Sequence, residues 1–396
     1  PSAAFAWRMK NEAFMADVSA ISDMKLRISW GKSGNQAISP YQSLQRYEPQ
    51  PLVIGGASAI GFAPSNIGNP NLKWETTEQL DVGMDVGLFN NRLSLTLDYY
   101  HKQTDDLLAV VNLPPSSGYA TTLQNIGSLE NNGFEFSLGV DLFSGSEEFS
   151  WNVSMNGSFN RNKITSLSKG ADIMAPNISF VGGAHILRVG EQLSSFYGYL
   201  EDGLTEEGLV KYVDLNNDGT INALDRKILG DPYPDFTYGL TNALSYKGFN
   251  LSVFIQGEQG KQLWNSNKYF SASSFYRGVN NIADVVNRWT PTNPDVNAPY
   301  PKATSTLNFM ASNRFVEDAS YIRLRNIQLG YQLPINNQRI RSARIFVSGQ
   351  NLLTITNYSW FDPDVSSFAS GDLRIGVDQG AFPITRTVTF GVEIGL

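Results

Sequence analysis

The sequence contains no cysteine and only two histidines. No disulfide framework and no thiolate metal site is available to it. No run approaches the roughly 18 apolar residues that a membrane-spanning helix requires. Charged residues make up only 17% of the chain, which is low for a soluble surface. The net charge of -7 provides no basic face for phosphates and excludes nucleic acid as a partner. The start, Pro1-Ser2-Ala3-Ala4-Phe5, has neither the basic n-region nor the sustained apolar core of a signal peptide. An exported protein of this kind would begin upstream, and the chain reads as a fragment. His101 and His185 have no nucleophile motif nearby, and the pairs Asp105-Asp106 and Glu147-Glu148 fall at turns, as solvated surface. With no catalytic constellation, an enzyme is not expected.

What the chain does have is glycine (35 residues), aromatics (Phe 23, Tyr 17, Trp 7) and a strict period of two. From Gln79 to Leu88, one face reads Leu80, Val82, Met84, Val86, Leu88 and the other Gln79, Asp81, Gly83, Asp85, Gly87. After Phe89-Asn90-Asn91-Arg92, where Asn tolerates the positive φ of a tight hairpin, alternation resumes. Leu93, Leu95, Leu97 and Tyr99 stand against Ser94, Thr96, Asp98 and Tyr100. The pattern returns at 134–142, 149–156, 249–256 and 387–396. Successive side chains of a strand point to opposite faces.

An antiparallel soluble sandwich also alternates. Two features favour a transmembrane barrel. The strands run to about ten residues, as a tilted membrane strand needs, against about five or six in a sandwich. The connections also alternate in length. Asn90-Asn91, Ser144 to Glu147 and Lys247-Gly248 are short, whereas 34–76, 104–131, 161–234, 261–318 and 354–384 are long. Short periplasmic turns and long outer loops are the outer-membrane arrangement. The predicted strands lie near 1–8, 24–33, 77–89, 91–103, 132–143, 148–160, 235–247, 249–260, 319–333, 342–353 and 385–396, about eleven in all. Residues 10–21 read as a short amphipathic helical turn on the periplasmic side. From Tyr321 to Leu333 the pattern sets Arg323 and Arg325 on the face of Ile327, Leu329 and Tyr331. Either both arginines sit at the outer end, where charge facing lipid is cheaper, or a β-bulge flips the register before Ile327.

Motifs spread over nearly the whole chain then point to one family. Met24-Lys25-Leu26-Arg27-Ile28-Ser29-Trp30-Gly31-Lys32-Ser33-Gly34-Asn35-Gln36, Asn69-Pro70-Asn71-Leu72-Lys73-Trp74-Glu75 and Asn132-Gly133-Phe134-Glu135 resemble, in order, segments of the SusC/RagA family of outer-membrane proteins. So do Gly230-Asp231-Pro232-Tyr233-Pro234, Arg288-Trp289-Thr290-Pro291, Asp318-Ala319-Ser320-Tyr321-Ile322-Arg323 and Gly349-Gln350-Asn351-Leu352. The resemblance implies an all-β fold, the C-terminal part of a 22-stranded TonB-dependent barrel whose plug and N-terminal strands are absent from this chain. It implies an outer-membrane location in a Gram-negative bacterium and TonB contact through the absent N-terminal region. It also implies a SusD-like lipoprotein lid and import of oligosaccharides or peptides. A passive porin or a surface adhesin barrel is the alternative. The family often ends in an aromatic residue, whereas this chain ends in Gly395-Leu396.

Two sets of residues carry candidate chemistry. Asp214-Leu215-Asn216-Asn217-Asp218-Gly219-Thr220-Ile221-Asn222-Ala223-Leu224-Asp225 has the spacing of an EF-hand-type calcium loop. Asp214, Asn216, Asp218, Asn222 and Asp225 would offer side-chain oxygens and Thr220 its carbonyl, around a structural Ca2+. Asp at the twelfth position is shorter than the usual Glu. The plain alternative is an acidic surface turn. Trp264, Tyr269, Phe270, Tyr276, Tyr358, Trp360 and Phe361 fall in outer loops, where they would stack on sugars or contact a partner. Packing within the loops is the competing reading.

Overall fold

A computed structural model describes residues 1–35, 40–119, 121–146, 148–168, 170–178, 182–272, 280–304, 309–335, 340–368 and 373–396. Eleven long strands form one antiparallel sheet, each pairing with its neighbour in the chain. They are β1 (Ser2–Arg8), β2 (Ile21–Asn35), β3 (Glu75–Leu88), β4 (Leu93–Asn112), β5 (Thr121–Ser146), β6 (Phe149–Leu167), β7 (Phe236–Tyr246), β8 (Phe249–Gln259), β9 (Tyr321–Leu333), β10 (Ser342–Thr356) and β11 (Thr387–Gly395). The predicted strands are all present. β4, β5 and β6 run further out than the alternation suggested, because Leu107–Asn112 pairs with Thr121–Gly127 beyond a bulge at Asp105–Asp106. Part of the predicted 104–131 loop is therefore a tall hairpin. The predicted helical segment at 10–21 is reduced to two single 3-10 turns, Met9–Asn11 and Ala13–Met15.

The two faces follow from register. One row across nine strands reads Met24, Val86, Leu95, Leu138, Met155, Leu240, Ile255, Leu324, Leu353. The adjacent row, one residue along each strand, reads Lys25, Asp85, Thr96, Ser137, Asn156, Gly239, Gln256, Arg323, Thr354. The first is wholly apolar and the second holds only polar side chains and glycine. Aromatics border the apolar face at both ends. Phe159, Phe236 and Tyr238 stack at the long-loop end, and Phe143, Phe149, Tyr246, Phe249 and Tyr331 cluster at the short-turn end. Ten steps of about 3.3 Å along β7 make about 33 Å. At a tilt of about 40° this becomes about 25 Å, the height of a barrel's apolar band.

The short turns solve a backbone problem. A two-residue hairpin that matches strand twist needs positive φ at both central positions. Lys247 (φ 45°) and Gly248 (φ 85°) supply it between β7 and β8. Asn90 and Asn91 (φ 58° and 60°), preceded by Phe89 (φ 55°), do so between β3 and β4.

Most fully buried side chains lie outside the sheet, in the long connections. The segments 173–174, 185–187, 195–198 and 227–230 make a four-stranded sheet, and 262–265 pairs with both 316–318 and 377–378. Phe196, Trp264, Tyr269, Phe309 and Phe315 form the centre of this layer, which caps the long-loop end.

The face assignment predicts a sharp contrast. Leu95→Arg places charge in lipid at a cost of roughly 2–4 kcal/mol, whereas Thr96→Arg adds it to a wet wall. Folded barrel, measured as heat-modifiable protein in outer membranes of cells making the complete protein, should drop for the first and not for the second. Equal loss would reverse or abolish the two-face assignment.

Candidate functional site

The polar face carries a charge network built by register. Arg27 on β2 donates from Nε to Asp85 Oδ2 (3.0 Å) and lies 2.9 Å, through Nη2, from Asp98 Oδ1. Thr96 Oγ1 donates to Asp85 Oδ1 (3.3 Å). Beside this network a cavity of about 500 Å3 is lined by Asp98, Glu135, Asn156, Thr237 and Gln256. Such a wall hydrogen-bonds water or a polar solute.

The bulge reading of β9 is the one observed. Pairing to both neighbours skips Arg325, so Arg323 falls on the polar row and Ile327 on the apolar one. The alternative, in which both arginines face lipid at the outer end, is corrected: a guanidinium turned inward finds carboxylates there. Arg323 is only 1% exposed. It donates to Thr354 Oγ1 through Nε (3.0 Å), to Asp362 Oδ1 through Nη2 (2.5 Å) and to Asp364 Oδ2 through Nη1 (3.5 Å). Asp362 also accepts from the backbone N–H groups of Asp364 and Ile384. One arginine thus ties the barrel wall to both ends of the 357–386 loop. Nothing in the sequence pattern paired Arg323 with an aspartate 39 residues away.

The loop aromatics are mostly internal. Trp264, Tyr269 and Tyr358 are buried, and Phe270 and Trp360 pack against buried clusters. The expectation of ligand contact is corrected for Trp264, Tyr269 and Tyr358, because loops this long need an apolar core of their own and these rings supply it, whereas Phe270 and Trp360 are half-buried at its edge. Tyr358 donates its hydroxyl to Asp378 Oδ2 (2.8 Å). Burial first, then the Asp378 carboxylate, pushes its phenol far above the ordinary range, so it remains a donor. Tyr276 lies outside the described residues. Of the described rings in the set, Phe361 alone is open, at 72% exposure. An aromatic of the same loop that sequence reading missed is Phe382, 83% exposed. Its signal was its setting, Gly380-Ala381-Phe382-Pro383, a ring held between turn residues.

The Asp214–Asp225 segment is a self-bonded turn. Asp214 accepts from Gly219 N–H (2.7 Å) and Asp218 N–H (3.3 Å), and Asp218 accepts from Thr220 N–H (2.8 Å). Asn222 and Asp225 form a reciprocal capping box around a 3-10 turn. Asn217 and Gly219 take positive φ, the backbone the sharp turn needs. The N–H of Asn222, foremost, and that of Leu215 hold the Asp225 carboxyl below its ordinary range. That contribution to loop order is therefore present at neutral pH and is lost as pH falls through the lowered value. Among the described residues, no group of three His, Cys, Asp or Glu side chains is arranged to hold a metal. The six oxygens proposed for calcium are near one another in the chain, but here they serve the turn.

Among the described residues, a hairpin between β2 and β3, Tyr47–Ile54 with Ala57–Pro64, pairs only with itself. Tyr47, Val53, Ile60 and Phe62 share one face of it by register and are each at least 60% exposed, and Ile54 on the other face is 66% exposed. An isolated two-stranded ribbon is marginal in water, and a contiguous apolar patch marks an interaction surface.

Comparison with known proteins follows this geometry closely. The family model described as "TonB dependent receptor-like, beta-barrel" matches residues 1–352. TonB-dependent receptor P3 of Formosa agariphila is 38% identical over all of this chain and 41% of its own length. TonB-dependent receptor SusC of Bacteroides thetaiotaomicron is 31% identical over all of this chain and 40% of its own. The solved RagAB peptide transporter superposes with a TM-score of 0.83 at 27% identity, over 99% of this chain and 43% of that one. The chain thus spans about two fifths of the length of the curated relatives it matches.

The arginine clamp can be tested directly. Asp362→Ala leaves Arg323 buried against one distant carboxylate, and removing one partner of a buried pair costs about 3–5 kcal/mol. Limited proteolysis of the complete protein should then cut within 357–386 well before any other loop. A protection pattern identical to the parent would show that the clamp does not hold the loop.

Proposed function

The chain belongs to the TonB-dependent receptor-like β-barrel family, and from that premise we propose that it forms the C-terminal part of an outer-membrane importer of oligosaccharides or peptides. TonB would energise import through a region outside this chain, and a SusD-like lipoprotein would close over the long-loop end. The observation that carries the import reading is the pair of opposed rows. The apolar row and its two aromatic borders match lipid, and the polar row lines a path for polar cargo. In hydrocarbon every backbone N–H and C=O must be bonded, so β1 and β11, the sheet's edges, require further strands to complete a barrel.

The exposed hairpin supports the lid. It stands at the long-loop end, where a surface lipoprotein would meet the barrel, and its apolar side chains would be covered by that contact. A calcium ion in the Asp214–Asp225 loop would be structural, since its oxygens stand beside no reacting group. It would compete with the loop's own N–H donors, so its affinity would fall on the order of 0.1–1 mM.

Three measurements follow. Radiolabelled cargo uptake by cells making the complete receptor should stop when TonB is deleted; continued uptake would favour a passive pore. Val53→Ser with Ile60→Ser and Phe62→Ser should reduce lid co-purification about tenfold or more while the barrel still folds, and unchanged recovery would remove the hairpin from the interface. Calorimetric titration should show calcium binding in the parent and none after Asp214→Ala with Asp218→Ala. Absence of calcium heat in the parent at several millimolar would leave a turn and no site.

A further inference from the structure

We propose that Asn125 positions the apolar hairpin at 47–64 for the lid, by latching the segment 40–73 that carries it to the tall hairpin of β4 and β5; this deepens, and rests on, the lid reading above. Asn66 closes the base of the apolar hairpin. Its Oδ1 accepts from Arg46 N–H (2.7 Å) and its Nδ2 donates to Leu44 O (3.0 Å). The chain then runs back to the barrel wall. Among the described residues, 40–73 is hydrogen-bonded to the rest of the protein only at Asn69 and Lys73. Asn69 Nδ2 donates to Leu123 O at a long 3.4 Å. Both bonds at Lys73 come from Asn125.

The latch repairs a broken ladder. Pairing of β4 with β5 skips at Asp105–Asp106, and Asp106 takes positive φ (57°). Side chains bond the backbone groups beside the break. Leu108 N–H donates to Glu75 Oε1 (2.9 Å), and Asp106 O accepts from Asn125 Nδ2 (2.7 Å). Asn125 Nδ2 donates also to Lys73 O (2.9 Å), and Asn125 Oδ1 accepts from Lys73 N–H (2.9 Å). Two carbonyls and one N–H face this amide, which fixes which of its ends is oxygen. The carboxamide thus engages both backbone groups of Lys73, as the peptide of a neighbouring strand would. β3 begins at Glu75, so the latch sits where the segment joins the wall.

Packing does not replace the latch. A cavity of about 640 Å3, lined by Ile67, Gly68, Asn69, Asn71, Gln124 and Asn125, separates 67–71 from the tall hairpin. The segment therefore leans on the wall at Lys73 and, more weakly, at Asn69. The apolar hairpin it carries pairs with itself and exposes Val53, Ile60 and Phe62. The orientation of those side chains toward the lid follows from how the segment leaves the wall. A surface held in one orientation binds without first being ordered. Aspartate has the shape of asparagine but no donor. At position 125 it would lose both carbonyl bonds and set a charge against Lys73 O and Asp106 O.

The test uses the complete receptor. This chain has no cysteine, and any thiol elsewhere in the receptor is replaced by serine. Spin labels at Gln50→Cys on the hairpin and Lys163→Cys on β6 report the distance between hairpin and wall. The parent should give one narrow distribution. Asn125→Asp should broaden it about twofold or more and lower recovery of the co-purifying lid about tenfold, with heat-modifiability unchanged. Asn71→Asp puts the same charge on the cavity rim without touching the latch, and should match the parent in both readings. Should Asn125→Asp give no heat-modifiable barrel, Asn125→Ala removes the same donors without the charge and is read in its place. A variant distribution as narrow as the parent's, or a parent distribution as broad as the variant's, overturns the latch. Full lid recovery in a broadened variant overturns the positioning role if the serine-substituted hairpin loses the lid, and overturns the lid reading itself if that hairpin keeps it.

Discussion

In the hydrocarbon of a bilayer no water is available to satisfy a backbone N–H or C=O, and each unsatisfied group costs several kcal/mol. The eleven-strand ladder answers that constraint, and most of the molecule follows from it. Continuous pairing fixes the register of each of the nine inner strands against two neighbours. Fixed register puts Leu95 beside Leu138 and Thr96 beside Ser137, so the two faces separate without any packed core between them. The sheet needs no second layer on its apolar side, because lipid provides it.

The long loops obey different physics. Exposed to water, they build a small globular cap with a buried centre of Phe196, Trp264, Tyr269 and Phe315. Rings that alternation alone would leave on the surface are consumed there. The cap joins the wall where the ladder is interrupted. The bulge at Arg325 turns Arg323 inward, and the buried guanidinium then requires the carboxylates of Asp362 and Asp364. The interruption of the ladder and the order of the loop thus meet at one residue. The same clamp holds the segment that presents Phe382, so the most exposed ring of this loop stands on one of its best-anchored backbones.

Much of this was legible from one dimension. Period-two alternation marked six of the eleven strands outright, since side-chain direction along a strand depends only on parity, and the alternation of short and long connections placed the others. Asn90-Asn91 and Lys247-Gly248 marked turns because few residues accept positive φ. The motif order identified the family that the comparisons then established. The Asp214–Asp225 spacing, read as a calcium loop or an acidic surface turn, marked a segment whose Asx side chains bond backbone two or more residues on.

Other features were decided only by the tertiary structure. The sequence offered two readings for Arg323 and Arg325, and pairing to β8 and β10 chose the bulge, which no single strand can specify. Burial of Trp264, Tyr269 and Tyr358 against exposure of Phe361 and Phe382 depends on contacts between segments a hundred residues apart. Composition says that a loop is aromatic, and only the fold says which rings face inward. Parity is a local property of the chain, whereas loop packing, ion pairing across 39 residues and the shape of a cavity are relations between distant segments.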